Sequence, residues 1–235
     1  GMQEEEVKVY FKGFEDDSIE ETTLLESLKE AKGIVGISDY KVVEKEDTIG
    51  WTIYIRMELL TGINKYVSQN TITEEDIINL GLDLSEALEY CEKLNIIHRD
   101  IKPENIFISK FGEYKLGDFG IARKLENTSS IMSKKGTYIY MPPEVYKGEE
   151  YDKTVDIYSL GLVMYKLGNE NRTPFLPKAP NPITYRDKEK ALMMRMQGEK
   201  IPKPDNMSEE LYKIIEKVIA YNPEDRYHTA KALKE

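Results

Sequence analysis

The order of hydrophobic and polar positions divides the chain into a short front part and a longer, mainly helical part. Residues 4 to 30 are predicted to form a helix that stops at Gly33. The apolar residues of this segment recur with a period of about 3.6 residues: Val7, Phe11, Phe14, Leu25 and Leu28. Two strands are predicted next. In the second, residues 51 to 57, the alternation puts Trp51, Ile53, Ile55 and Met57 on one face.

A long helix is predicted to begin at Thr73. The side chain of a threonine can cap the first turn, and three acidic residues follow it, which suits the positive end of a helix. The apolar residues that follow keep helical spacing and predict a buried stripe: Ile77, Leu80, Leu84, Leu88 and Cys91.

The rest of the chain predicts two short strands and several more helices. The strands are residues 106 to 108 and 114 to 116, around a turn at Gly112. Residues 155 to 168 are apolar nearly all round, which indicates a central helix buried on every side. Further helices are predicted near residues 186 to 198, 208 to 220 and 228 to 234.

These elements predict an α+β fold with two lobes. The small lobe would comprise residues 1 to 60 and the helical large lobe residues 62 to 235, with a hinge at 58 to 61.

Composition excludes several classes of function. The 235 residues carry a net charge of -10, which argues against a nucleic-acid binder and against an anionic membrane surface. Cys91 is the only cysteine, and His98 and His228 are the only histidines, so a disulfide framework or a zinc site is not expected. No stretch reaches the roughly 20 apolar residues of a membrane span. We therefore expect a cytoplasmic protein.

Residues 96 to 107, IIHRDIKPENIF, place a cluster of polar side chains between apolar ones. Taken alone, His98-Arg99-Asp100 could be a buried hydrogen-bonded network, and Asp118-Phe119-Gly120 could be an ordinary turn after a strand. The order and spacing of six elements is much more specific: HRDIKPEN at 98 to 105, DFG at 118 to 120, GT at 136 and 137, MPPE at 141 to 144, Asp156, and Arg226.

This run resembles the eukaryotic-type serine/threonine protein kinases, including those of bacteria, over nearly the whole chain. The resemblance implies a protein-kinase-like two-lobe fold that binds ATP and Mg²⁺ and phosphorylates Ser or Thr of a protein. Asp100 would orient the substrate hydroxyl and accept its proton, and Lys102 would neutralise the transferring phosphoryl group. Asn105 and Asp118 would hold the magnesium ions.

The resemblance also implies scaffold and regulatory residues. Phe119, next to Gly120, would pack under the first helix, and Arg99 would pair with a phosphorylated activation loop. Candidate phosphosites, which could equally serve only to keep that loop soluble, are Thr128, Ser129, Ser130 and Ser133. The predicted scaffold residues are Thr137, which would brace the catalytic Asp and Lys, the ion pair Glu144 and Arg226, and Asp156, which would hold the His98-Arg99-Asp100 backbone.

Residues 57 to 60 resemble a gatekeeper and hinge, although alone they would suggest an ordinary strand end. Met57 would be the gatekeeper, and the Glu58 carbonyl and Leu60 amide would meet the adenine. Phe107 would form the floor of the nucleotide pocket.

The front of the chain departs from the kinase pattern. It has no G-x-G-x-x-G over the phosphates, and the helical spacing favours a chain that starts at the helix, with a truncated small lobe. Glu21 would then lack its partner lysine; the alternative is that Lys8 lies on a strand and is that lysine. Truncation predicts weak nucleotide binding and slow or absent catalysis. It also predicts that the strand at 51 to 57 is an exposed edge, which could pair in a homodimer.

Two other functions compete with a serine/threonine kinase. One is a catalytically impaired, kinase-like regulatory or binding module, for which the missing phosphate clamp argues. The other is a small-molecule phosphotransferase, which Lys102-Pro103 and Pro143-Glu144 disfavour. A proline-rich insert at residues 172 to 187 fits a substrate-docking surface and a rigid surface loop equally well.

Overall fold

The computed structural model describes residues 4–11, 27–28, 31–44, 51–119 and 137–235. Within these ranges, the small lobe contains an antiparallel sheet of three strands. Its strands are β1 (Glu4–Phe11), β2 (Ile37–Glu44) and β3 (Trp51–Glu58). They lie in the order β1-β3-β2, and both neighbours run antiparallel to β3.

The prediction of a helix over residues 4 to 30 is wrong for residues 4 to 11, which form β1. The apolar positions of this segment, Val7, Val9 and Phe11, also alternate with a period of two, so the sequence fits both structures. All eight residues of β1 pair with β3, and this long-range pairing decides the outcome. Elsewhere in 4 to 30, only Ser27 and Leu28 are described, and both are helical.

The chain therefore does not begin at the helix, and the strand that the Lys8 alternative requires is present. Lys8 lies opposite Tyr54 of β3, whereas Val7 lies opposite the buried Ile55. Across the sheet, residue 8 is therefore paired with Tyr54, which pairs on its other side with Lys41. It is not paired with Ile55.

The prediction that residues 51 to 57 form an exposed edge is also wrong. Strand β3 is flanked on both sides, so its backbone groups are paired within the sheet. A homodimer through that edge loses its physical basis, because the template for strand addition is an unpaired row of N–H and C=O groups.

A second small sheet follows the first along the chain. Strand β4 (Thr61–Gly62) pairs with β5 (Ile106–Ile108), which pairs with β6 (Tyr114–Leu116), around the turn that contains Gly112. Gly33 has a φ of 70°, and a Cβ at this position would lie 2.7 Å from the Asp83 carbonyl oxygen. Glycine is therefore required where the chain turns to bring Ile34 beside Leu116.

The large lobe contains seven helices among the described residues. They are α1 (Ile63–Gln69), α2 (Glu74–Lys93), α3 (Pro143–Lys147), α4 (Thr154–Gly168), α5 (Tyr185–Met196), α6 (Glu209–Val218) and α7 (Ala230–Lys234). None of the helices in these ranges is long and apolar enough to cross a membrane.

The predicted start and buried stripe of α2 are confirmed. The Thr73 hydroxyl accepts a hydrogen bond from the Asp76 amide at 3.2 Å, and the Asp76 carboxylate accepts one from the Thr73 amide at 2.8 Å. All five residues of the predicted stripe belong to the core: Ile77, Leu80, Leu84, Leu88 and Cys91.

Helix α4 is the central element of the large lobe, as predicted. Thirteen of its fifteen residues are buried, so it has no solvent face. At Gly161 the helix packs closely against α6, since a Cβ here would lie 2.3 Å from Cγ1 of Val218.

We expect Gly161→Ala to lower the free energy of unfolding by about 1–3 kcal/mol, because the added methyl group overpacks the contact between α4 and α6. Gly81→Ala is the matched control. Its methyl group would meet only the flexible end of Met164, and alanine favours a helix by up to about 1 kcal/mol. Urea denaturation of both variants measures the difference. Equal stability of the two variants would contradict the assigned packing.

Candidate active site

The loop after α2 brings three predicted catalytic residues into direct contact. Asp100 is 7% exposed, and its Oδ2 accepts hydrogen bonds from Lys102 Nζ at 2.8 Å and from Asn105 Nδ2 at 3.1 Å. The same Asn105 amide also donates to the Asp100 carbonyl at 2.8 Å. A short 3₁₀ turn, Pro103–Asn105, folds Asn105 back onto Asp100. The arrangement holds one carboxylate beside one cation at a fixed position.

Asp156 of α4 holds the backbone of this loop. Its two carboxylate oxygens accept hydrogen bonds from the His98 amide at 2.7 Å and the Arg99 amide at 2.8 Å. Arg99 has a φ of 65°, a left-handed conformation that costs a non-glycine residue on the order of 1 kcal/mol or more. Burial raises the pKa of Asp156, while the hydrogen bonds from the two amides and the charge of Arg99 oppose this rise by favouring the carboxylate.

The ring of His98 connects this loop to residues 117–119. Its Nδ1 lies 3.3 Å from the Asp100 amide, which donates to it, and its Nε2 lies 3.1 Å from the Gly117 carbonyl oxygen. With Nδ1 as acceptor, Nε2 carries the proton and donates to Gly117, so the imidazole is neutral. Burial also lowers the pKa of His98. The ring of Phe119 packs edge-on against it at 4.7 Å between centroids.

Asp118 follows β6 with a φ of 55° and an exposed side chain. The preceding amide, of Gly117, donates to the Asn105 carbonyl at 2.9 Å, which ties together the two predicted magnesium ligands. A Cβ at Gly117 would lie 2.9 Å from both Phe107 and Val35, so only glycine lets the chain pass between them. Sequence reasoning missed Gly117, because a glycine one residue before D-F-G gives no signal without these neighbours.

The donor set of Asn105 and Asp118 fits Mg²⁺. Both donor hydrogens of the Asn105 amide face Asp100, so oxygen is the atom that this side chain has left to offer a cation. Magnesium is commonly bound by one or two protein oxygens together with substrate phosphates and water. Among the described residues, no group of three or more His, Cys, Asp or Glu side chains that could hold a metal ion occurs.

Glu144 and Arg226, predicted as a buried ion pair, are in bidentate contact. The Arg226 guanidinium donates to the two Glu144 oxygens at 2.6 and 2.8 Å, and both side chains are at most 3% exposed. Arg226 also donates to the carbonyl oxygens of Ala220 and Tyr221.

A family model described as the protein kinase domain matches residues 3–235. The chain belongs to this family. The chain is therefore a protein kinase domain, as its motifs predicted.

The curated relatives of this kinase domain carry serine/threonine kinase names. It is 32% identical to serine/threonine-protein kinase PknB of Mycolicibacterium smegmatis over 208 residues, 84% of this chain and 32% of the relative. A probable serine/threonine-protein kinase of Clostridium perfringens is 32% identical over 218 residues, 87% of this chain and 30% of that protein. Serine/threonine-protein kinase TIO of Arabidopsis thaliana is 36% identical over 165 residues, 70% of this chain and 12% of that protein. The kinase domain thus spans about a third or less of these relatives.

At the end of β3, Glu58 makes contacts that the sequence did not predict. Its Oε1 accepts hydrogen bonds from the Gly36 amide and from Lys115 Nζ, each at 2.6 Å. Its side chain therefore joins the end of β3 to β6, beside the carbonyl that was predicted to meet the adenine. Met57 and Leu60 are half-buried, and Phe107 lies on β5 opposite Gly62.

Several predicted residues lie outside what the structure describes. These are Glu21, Gly120, Thr128, Ser129, Ser130 and Ser133. Of Thr137, only the backbone is described, at the start of the 3₁₀ turn Thr137–Ile139.

We expect the neutral His98 to make stability depend on pH. The pKa of His98 is lowered on folding, so the stability it contributes is complete above its unfolded pKa of about 6.5 and is lost as pH falls below that value. The slope is at most about 1.4 kcal/mol per pH unit. Urea denaturation between pH 7.5 and 5.5 should show this loss in wild type and a smaller one in His98→Phe.

His228→Gln is the control, because His228 is exposed, and it should keep the wild-type pH slope. Burial raises the pKa of Asp156, which acts in the opposite direction, so the slopes are compared as differences between variants. A His98→Phe slope equal to that of wild type would refute a neutral, buried His98.

Proposed function

We propose that this kinase domain transfers the γ-phosphoryl group of ATP to serine or threonine hydroxyls of proteins. The observation that carries the proposal is the Asp100 carboxylate, held by Lys102 and Asn105 on one side and by the backbone contacts of Asp156 beneath. Phosphoryl transfer requires mainly positioning and charge stabilisation, and this cluster supplies both.

In the proposed mechanism, Asp100 orients the substrate hydroxyl and accepts its proton as the oxygen attacks the γ-phosphorus, whose bond to the β-phosphate oxygen breaks and releases ADP. Lys102, 2.8 Å from the Asp100 carboxylate, lies where it can neutralise charge on the phosphoryl group. Bound Mg²⁺ would supply further charge neutralisation on the phosphates. Asn105 and Asp118 would hold it through amide and carboxylate oxygens.

The adenine site is proposed at the hinge. Met57, the Glu58 carbonyl, the Leu60 amide and Phe107 would surround the base. The Glu58 carboxylate is already bonded to Gly36 and Lys115, which would keep the hinge strand in a fixed position for that contact.

Control by phosphorylation of the activation segment remains a proposal that centres on Arg99. Its guanidinium lies 5.7 Å from the centre of the Tyr151 ring, a contact that a phosphate group would have to replace or join. The candidate phosphosites remain Thr128, Ser129, Ser130 and Ser133.

Because ATP is a cytoplasmic substrate, we place the activity in the cytoplasm.

Asp100→Asn should lower phosphate transfer from ATP to a serine/threonine peptide by about 10²–10⁴-fold, because an amide cannot accept the hydroxyl proton. ATP affinity, measured separately by calorimetry with Mg²⁺, should change little. Asp205→Asn, at an exposed carboxylate of the large lobe, is the control and should keep wild-type activity. ATP binding without any transfer by wild type would instead favour the catalytically impaired, kinase-like regulatory or binding module.

The role of Lys8 can be tested against Lys41, because the two residues lie opposite Tyr54 from its two sides. If Lys8 binds the phosphates, Lys8→Ala should weaken ATP binding by about tenfold or more, since a charged hydrogen bond is lost. Lys41→Ala should bind ATP like wild type. Equal affinities of the two variants would show that the phosphates are bound by another cation.

A further inference from the structure

A cavity of about 220 Å³ lies in the large lobe between the end of α4, the segment after it and α5. Three cations line it, Lys166, Lys188 and Arg195, and none of its described lining residues is acidic. Its walls are otherwise mainly apolar, with Leu176 and Leu192 among them. Part of the proline-rich insert forms one side, and this insert has no assigned role in the proposed reaction.

Arg195 is buried in the cavity wall with its charge uncompensated by any described carboxylate. It is 5% exposed, and two of its nitrogens donate to the backbone carbonyls of Tyr138 and Ile139. Its Nε is buried without a hydrogen-bond partner, and no ion pair joins it to an acidic group in the described ranges. A buried charge is costly unless an opposite charge is near, and burial lowers the pKa of Arg195 accordingly.

Lys166 adds a second, partly buried cation. It lies in the last turn of α4, and its Nζ is 5.9 Å from the centre of the Tyr140 ring. Desolvation lowers the pKa of Lys166, and Glu104 is the acid that counteracts this effect. Over the described part of the chain, however, no carboxylate comes within ion-pair distance of Lys166.

The position of Tyr140 connects this cavity to the reacting residues. Tyr140 lines it, and it also lines a second pocket together with Asp100, Arg99 and Met141. An extended peptide whose hydroxyl reaches Asp100 would therefore pass the mouth of the cationic cavity. A side chain of such a peptide can reach the cavity. The short distance between the cavity and Asp100 matters only for a group that is part of the peptide, not for a free ion.

We propose that this cavity, lined by Lys166, Lys188 and Arg195, receives an anionic side chain of the protein substrate, either a carboxylate or a phosphorylated Ser or Thr. The inference rests on the proposed kinase function and adds the substrate class. The apolar walls would bury the stem of that side chain, and its charge would meet the two lysines. Arg195 positions the turn at Thr137–Ile139 through its carbonyl contacts and supplies positive potential from behind.

The test uses serine/threonine peptides in which one position at a time carries Glu, phosphoserine, Gln or Arg. We expect one position at which Glu or phosphoserine lowers KM about tenfold relative to Gln, a typical effect of one close charge pair. Lys166→Met should remove most of this ratio between the KM values of the Gln and Glu peptides. Lys166→Glu should instead give the Arg peptide the lowest KM. Lys190→Met, at an exposed lysine of the same helix as Lys188 but outside the cavity, should keep the wild-type ratio.

The same preference is measured without catalysis, by fluorescence anisotropy of peptides whose acceptor Ser is replaced by Ala. A binding preference that Lys166→Met removes supports the cavity even if no phosphate is transferred, which would overturn only the proposed reaction. Equal binding of Glu, phosphoserine and Gln peptides, or a preference that Lys166→Met leaves intact, would overturn the cavity even if transfer is rapid. A preference for Glu over phosphoserine, or the reverse, identifies which anion the cavity fits.

Discussion

The Asp156 carboxylate, buried in the first turn of α4, is the interaction on which the site depends. It accepts two backbone amides, from His98 and Arg99, and so fixes the strained turn that presents Asp100. Removing a carboxylate from water is unfavourable, and the amides together with the positive end of α4 offset that cost. Because α4 is packed on every side, the carboxylate cannot move, and the position of Asp100 follows from the core of the large lobe.

The buried ion pair between Glu144 and Arg226 also packs against α4. Tyr158, two residues after Asp156, places its ring 4.6 Å from the Arg226 guanidinium that binds Glu144. Replacing either Glu144 or Arg226 by a neutral residue would leave the other charge buried without a partner, which typically lowers the free energy of unfolding by about 3–5 kcal/mol. One helix therefore supports both the catalytic loop and the segment that begins α3. Such a buried helix explains how charged groups this far apart in sequence keep a fixed geometry.

The long helices of the large lobe could be predicted from sequence, α2 from its periodicity and its local cap at Thr73 and Asp76, and α4 from its continuous apolar run. The short helices α1 and α3 were not predicted. Strand β1 could not be predicted, because Val7 and Phe11 fit both periods and the outcome depends on pairing with β3, 40 or more residues away. The site was predictable where the motif itself contains the contact, as with Asp100, Lys102 and Asn105. Glu58 was predicted for its carbonyl, while its carboxylate binds Lys115, a partner 57 residues distant that no local pattern reveals.

Net charge and local charge have opposite signs in this molecule, and the difference bears on substrate choice. At -10 overall, the chain repels acidic peptides at distances of several ångströms or more, so long-range attraction cannot select them. Selection of an acidic side chain must then come from short-range contacts, where the low dielectric of a partly buried cavity strengthens each pairing. The cluster of Lys166, Lys188 and Arg195 provides such contacts. Specificity would accordingly depend on how long the peptide stays bound more than on how fast it arrives, because salt screens the distant repulsion and affects the buried pairing less.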